Sequence, residues 1–324
     1  MSIIYGKPLM GGGGKKPISL DVSKNGTWSR DGGYNPVNVN VPASAVTSGS
    51  LIIAANGNYD ITKYKTVVIA VGETMVTTEP ASGISYINGL PSDWGIMKEV
   101  AKAISNESDY INSDTTGAVY VNKGNSWAYK ITPGDTITLL TTSSEYEYAL
   151  MGFNNYELTN KANYGGNNTY AGLTFGMVNP IGGESYQMNN TATTEWGWGK
   201  CFMKTSTMQT LKTEMPSTVI TNMAKIKIPY YERNASSVLY SDDYMFLPAE
   251  KEVFGYQGHS FLEEADALTQ YAYYRDSGST IEPDWWLRSI DVLESGSFCC
   301  VDSDGNMGSA SADAYLTISP CFCV

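Results

Sequence analysis

Trp285-Trp286-Leu287-Arg288-Ser289, Val301-Asp302-Ser303-Asp304-Gly305 and the terminal run Ile318-Ser319-Pro320-Cys321-Phe322-Cys323-Val324 decide the fold class of this 324-residue chain. An aromatic pair leading into a strand, an acidic glycine turn and an apolar chain end read as neighbouring strands of a β-rich module. The last segment is apolar enough to be locked into the module's own core. The expectation is a domain that is finished at Val324.

Further motifs lie upstream in the same order: Met151-Gly152-Phe153-Asn154, Gly172-Leu173-Thr174-Phe175-Gly176-Met177-Val178, Tyr186-Gln187-Met188-Asn189-Asn190-Thr191, Met245-Phe246-Leu247-Pro248 and Glu252-Val253-Phe254-Gly255. Together with the "WWLRS" strand, the "V.SDG" turn and the apolar end, they resemble a C-type-lectin-like domain of unknown function found in phage and prophage virion proteins of Firmicutes. The resemblance implies an α+β fold, a twisted antiparallel sheet flanked by helices, and a virion setting. It also implies that Trp285, Trp286, Leu287, Arg288 and Phe322 are structural core, with Arg288 tying its strand to a carboxylate or a backbone carbonyl. No reaction comes with it.

Bulk properties exclude some functions. The net charge of −12 opposes binding to nucleic-acid backbones and to anionic membranes. Only 17% of residues are charged, so solubility rests on Gly, Asn, Ser, Thr and Tyr. No apolar run reaches the roughly 18 to 20 residues of a membrane-spanning helix, and Met1-Ser2-Ile3-Ile4-Tyr5-Gly6-Lys7 lacks the apolar core of a signal peptide. A virion protein made in the host cytoplasm and released by lysis fits that start. Cys201, Cys299, Cys300, Cys321 and Cys323 make no zinc-type pair and read mostly as small buried apolar residues.

The N-terminal part is organised differently. A Gly-rich attachment segment (1–19) precedes two β-repeats, 20–41 and 51–71, within the region 20–72, and a linker (73–89) leads to the globular domain at 90–324. Asn25-Gly26-Thr27-Trp28 aligns with Asn56-Gly57-Asn58-Tyr59, and Tyr34 to Val41 aligns with Tyr64 to Val71, a period of about 31 residues. Asn-Gly marks tight turns, and Val37, Val39 and Val41 alternate as in a half-buried strand, so each copy is expected to be a small β element. Two copies bury little surface alone, which suggests packing against other chains. Repeats of this form resemble those at the start of phage tail and fibre proteins, which implies attachment to other virion proteins and, by analogy, a homotrimer.

Within the globular part, Ser92 or Asp93 is expected to cap a helix whose apolar face is Ile96, Met97, Val100, Ala103 and Ile104. Strands are expected at 118–121 and 135–140, separated by Pro133-Gly134. Helices broken at Pro216 are expected between Ser206 and Met223, and a short helix after Pro248 stopped by Gly255. The last strands are placed near 285–289, 297–302 and 314–323.

Candidates for chemistry are few. His259 stands in a loop without a nucleophile motif nearby, and Glu263, Glu264 and Asp266 read as a solvated acidic helix start more readily than as a glycosidase pair. The lectin-like superfamily includes a two-cysteine oxidase, yet adjacent Cys299 and Cys300 in a strand would point to opposite faces. Asp302-Ser303-Asp304-Gly305 lacks the distal ligand of a calcium loop and reads as a hairpin turn. No catalytic residue, metal or cofactor is therefore expected.

What remains is recognition by loops rich in Tyr, Ser, Asn, Asp and Gly. The segments are 271–279, 290–297 and 306–315, with Tyr271, Tyr273, Tyr274, Arg275, Asp276, Asp291, Glu294, Ser297, Asn306, Met307, Ser309, Ser311, Asp313 and Tyr315 as candidate ligand contacts. The sequence thus leads to a phage tail-fibre-like adhesin that reads a host-surface glycan or protein. A capsid or tail decoration protein and a surface glycan-acting enzyme are the alternatives.

Overall fold

Tight turns and short apolar strands divide the chain into two units, Met1–Ile87 with Tyr110–Lys130, and Asn88–Asp109 with Ile131–Val324. The computed structural model describes residues 26–28, 37–40, 50–53, 57–59, 66–69 and 86–324, the last span apart from 107–109, 113–116, 124–125, 142–143, 165–167, 182–185 and 278–283. The Gly-rich segment expected at 1–19 and most of the linker expected at 73–89 lie outside the described residues.

In the first unit the two repeats build shared sheets instead of separate elements. β1 (Gly26–Trp28) belongs to the first copy and β4 (Gly57–Tyr59) to the second, and they pair antiparallel with Thr27 opposite Asn58. β2 (Val37–Asn40) pairs antiparallel with β5 (Thr66–Ile69), with Asn38 opposite Val68. β3 (Ser50–Ile53) joins β5 from the other side in parallel. Thr27 and Asn58 are equivalent positions of the repeat, as are Asn38 and Val68. Each antiparallel pair is therefore centred on equivalent residues, which makes the copies a pseudo-twofold pair within one chain.

A four-stranded sheet completes this unit, in the order β6 (Ile87–Asn88), β9 (Ala128–Ile131), β8 (Val119–Asn122), β7 (Tyr110–Asn112). Val119 and Val121 are buried and alternate with half-buried Tyr120 and Asn122, as a period of two requires. The sequence reading missed β9 and assigned 110–130 to the globular domain. Residues 110–130 group with the first unit.

The second unit opens with α1 (Trp94–Ser105), capped by the Asp93 carboxylate, which accepts the Ile96 N–H at 2.9 Å. Its inward face is Met97, Val100, Ala101 and Ile104. Ile96 and Ala103, expected on that face, are half-buried at its margin. The chain continues through β10 (Thr136–Leu140), β11 (Glu145–Glu157), β12 (Tyr170–Met177), α2 (Gly197–Lys200), a π-helical turn at Met203–Thr207, α3 (Met208–Glu214) and α4 (Ser217–Asn222). Then come β13 (Ile226–Tyr230), β14 (Leu239–Asp243), β15 (Met245–Phe246), α5 (Glu250–Phe254), α6 (Leu262–Asp266), α7 (Ala272–Ser277), β16 (Trp285–Ile290), β17 (Ser297–Val301), β18 (Met307–Ser311) and β19 (Cys321–Cys323). Pro216 separates α3 from α4, and Gly255 ends α5 at φ +81°.

The fold is α+β. Its main sheet runs β10-β11-β12-β19-β15, every pair antiparallel, so the terminal strand lies inside the sheet. Phe322 pairs in register with Phe175 and stacks on it at 5.3 Å, with Tyr148 edge-on at 5.2 Å. Val324 exchanges backbone hydrogen bonds with Leu173 in both directions. α1 crosses this sheet at Gly172, where a Cβ would stand 2.0 Å from the Ala101 carbonyl oxygen, so glycine sets how closely helix and strand approach. The β13–β14 hairpin and a second sheet, β16-β17-β18, complete the unit. The strand expected at 314–323 is confined to 321–323 with bridges at Leu316 and Thr317, and Met307–Ser311, read as loop, is a strand. All five cysteines are buried and free, and among the described residues no helix is long and apolar enough to cross a membrane.

Candidate binding surface

Arg288 projects from β16 into the interior, where it has no exposure at all. A buried guanidinium is tolerable only when its donors are occupied, and here they are. It donates to Glu252 Oε2 at 2.7 Å and Oε1 at 3.2 Å, to the Leu247 carbonyl at 2.8 Å and to the Pro229 carbonyl at 3.3 Å. Glu252 also accepts the Ala249 N–H at the start of α5 and the Tyr156 hydroxyl, and the Tyr156 and Tyr271 hydroxyls meet. A single cluster thus joins β11, β13, α5, β16 and Tyr271, the residue just before α7.

Glu264 lies against this cluster, 3.9 Å from Arg288 Nε and buried, with no hydrogen bond to its carboxylate oxygens among the described residues. Burial pushes its carboxyl up to about 7 against the pull of Arg288. The sequence pattern Glu263-Glu264 suggested a solvated acidic helix start; Glu263 is exposed, and Glu264 turns inward because helical spacing puts neighbours on different faces.

A second set of buried polar groups holds the loop from Asp291 to Gly296 between β16 and β17. The Asp291 carboxylate accepts the N–H groups of Leu293 (2.6 Å) and Glu294 (3.0 Å) and faces His259 Nδ1 at 3.3 Å. Burial alone would raise its carboxyl, but Ser309, those two N–H groups and His259 together hold it below the usual range. From the other side Arg233 donates to the carbonyls of Asp291, Val292 and Glu294 at 2.6, 3.2 and 2.8 Å. His259 is itself placed by the buried Glu250, which accepts the N–H groups of Gly258, His259 and Ser260 and the Ser260 hydroxyl.

This scaffold presents Leu293, 79% exposed, on a loop anchored by Asp291 and Arg233. The segment after β18 is tied to the end of this loop. Ala312 donates to the Gly296 carbonyl, Asn189 to the Ala312 carbonyl, and Gln187 to the Asp313 carbonyl. The β17–β18 turn is closed by Asp302, whose carboxylate accepts the N–H groups of Asp304 and Asn306. Among the described residues no group of His, Cys, Asp and Glu could hold a metal ion.

The sequence candidates divide accordingly. Glu294, Asn306, Asp313 and Tyr315 are exposed, and Met307, Ser309 and Ser311 line the half-exposed β18. Arg275 and Asp276 are exposed on α7 but bond each other at 2.8 and 3.0 Å, and Tyr273 beside them is half-buried. Four candidates are corrected. Tyr271 and Tyr274 are buried, the first in the Arg288 cluster and the second stacked on Trp285 at 6.2 Å. Asp291 and Ser297 are buried and hold the loop from within. Trp285, Trp286, Leu287, Arg288 and Phe322 are all buried. Leu293, Arg233 and Glu250 were missed, and only Leu293 carried a signal, as an apolar residue inside a polar loop.

A family model described as "Domain of unknown function (DUF6273)" matches residues 156–324, which include β12, both edges of the Arg288 cluster and the whole loop surface. Neither the curated proteins nor the solved structures contain a match to this chain.

Proposed function

The chain belongs to the DUF6273 family, and we propose that it is a recognition protein of a phage or prophage particle whose second unit grips a host-surface glycan or protein. The observation that carries this reading is the preformed loop that displays Leu293. A loop anchored at Asp291, Val292, Leu293 and Glu294 loses little conformational freedom on binding, which favours it as a contact surface. Asp313 and Tyr315 supply exposed polar and aromatic surface on the segment after β18, which is tied to the loop through Ala312 and Gly296. Three of the buried carboxylates have structural tasks: Glu252 holds Arg288, Glu250 holds 258–260, and Asp291 holds the loop.

The C-type-lectin-like fold belongs to the same proposal. It is supported by a terminal strand inside an antiparallel sheet and by a separate small sheet carrying the loops. Attachment to other virion proteins through residues 1–89 and a homotrimeric state also belong to it.

The test is binding of the fluorescently labelled full chain to intact cells of a panel of bacterial strains, with and without a calcium chelator. Saturable binding to particular strains, unchanged by the chelator, is expected. Absence of binding to every strain, with the chain still assembling on particles, would refute the adhesin and favour a decoration protein.

A further inference from the structure

A groove of about 700 Å³ opens in the second unit between α1, the segment after β11, α3, α4 and the end of β14, and it shares no residue with the loop surface. That volume lies within the roughly 300–1,000 Å³ of small-molecule sites. Three lysines reach it, Lys98, Lys212 and Lys225, in a chain whose net charge is −12. Only Lys225 has a carboxylate partner among the described residues, Asp242 at 3.6 Å. On α1 the nearest carboxylate, Glu99, is paired with Lys102 at 3.0 Å, which leaves Lys98 facing the groove with its Nζ 5.9 Å from the Tyr164 ring centre. Lys212 rests over the Tyr244 ring at 3.6 Å.

The electrostatics agree with that geometry. Burial lowers the Lys98 ammonium and Lys102 adds to the effect, with Glu99 partly opposing them; burial also lowers Lys212, with Lys225 adding. Both ammonium groups are thus partly stripped of water and sit near like charge, a state that an incoming anion relieves. The Tyr164 hydroxyl, buried at the groove wall, has no hydrogen-bond partner among the described residues.

The rest of the lining narrows the chemistry. Leu158, Met223 and Ala224 make a buried apolar floor, while the Thr159 and Thr221 hydroxyls, which donate to the Lys225 and Ser217 carbonyls, keep their oxygens as acceptors and Asn160 offers its amide. The walls are preformed, because Thr159 N–H and its hydroxyl both bond the Lys225 carbonyl at 3.0 Å and Ala224 N–H bonds the Cys323 carbonyl. The cation over the Tyr244 face blocks stacking of a nucleobase there, while the ammonium groups offer point charges to carboxylate or phosphate oxygens alike. Carbohydrate meets all three features with hydroxyls, an apolar ring face and acidic substituents. We propose that this groove is a binding site for an acidic oligosaccharide, with Lys98 and Lys212 contacting its carboxylates.

The experiment is isothermal titration of the full chain with trigalacturonate, with maltotriose and with inorganic phosphate, repeated on the Lys98→Gln/Lys212→Gln double variant. Trigalacturonate is expected to bind, to lose at least tenfold in affinity in the double variant, and to weaken as salt is raised. Maltotriose and phosphate are expected to bind at least tenfold more weakly than trigalacturonate. Absence of trigalacturonate binding, equal affinity for maltotriose or phosphate, or affinity unchanged in the double variant would each overturn the proposal. Circular dichroism melts confirm that the double variant is folded, and a Leu293→Asp variant, which alters only the loop surface, is expected to bind trigalacturonate like the parent chain.

Discussion

Replacing Arg288 by Met tests the interior on which the candidate surface stands. The side chain is similar in length, so packing changes little, but three kinds of partner lose their donor. The Glu252 carboxylate loses both contacts, the Leu247 and Pro229 carbonyls lose theirs, and Glu264 loses the nearby cation. Removing one member of a buried ion pair typically costs about 3–5 kcal/mol, and each stranded carbonyl adds about 1–3 kcal/mol. Relaxation and water entry reduce the sum, so a loss of about 4–6 kcal/mol is expected at pH 8. The sign of its pH dependence follows from Glu264. Its folded carboxyl is already raised to about 7, with Arg288 opposing the shift, and without Arg288 it rises further. A raised acid binds more protons folded than unfolded, so its penalty is absent below the unfolded value and grows as pH increases. Urea unfolding followed by near-ultraviolet circular dichroism at pH 5 and pH 8 measures both. The Glu252→Gln variant and the double variant complete the cycle. A loss below about 1 kcal/mol at pH 8, or a larger loss at pH 5 than at pH 8, would refute this account of the cluster.

Three further outcomes are expected. Glu264→Gln removes the raised carboxyl itself, so the stability difference between variant and parent should shift in favour of the variant by on the order of 3 kcal/mol as pH rises from about 4.5 to 7; parallel pH profiles of unfolding free energy would contradict it. Gly172→Ala drives a methyl against the Ala101 carbonyl and should cost about 1–3 kcal/mol by displacing α1, measured by thermal unfolding. Arg233→Ala frees three carbonyls of the 291–296 loop; hydrogen exchange at Leu293 and Glu294 should accelerate at least tenfold while core strands keep their protection, and uniform protection would show that the loop does not depend on Arg233.

The features legible in the sequence were those carried by local pattern. The apolar end Cys321-Phe322-Cys323 announced a core strand, Asp93 announced the start of α1, and Gly255 the end of α5. The repeat was visible as well. Its pseudo-twofold pairing was not, because Asn38 and Val68 meet through a long-range register that spacing does not encode. β18 was hidden by its composition, since Met307-Gly308-Ser309-Ala310-Ser311 lacks the branched residues that mark strands and is held by pairing with β17. Four residues of the candidate surface, Tyr271, Tyr274, Asp291 and Ser297, prove to be buried. Composition treats every Tyr and Asp of a loop as a possible contact, whereas Tyr271 and Asp291 spend their polar groups inward and the apolar Leu293 is the side chain left exposed. Arg233 and Glu250 act on segments 58 and 10 positions away, respectively, beyond the reach of a local motif.

Direct comparison of the parent chain with Leu293→Asp in a cell-binding isotherm tests the central claim, that a preformed loop is the recognition surface. The account predicts saturable binding by the parent chain, at least a tenfold loss of affinity in the variant and coincident melting curves for the two. Equal affinity of the two chains for the same strain would contradict it.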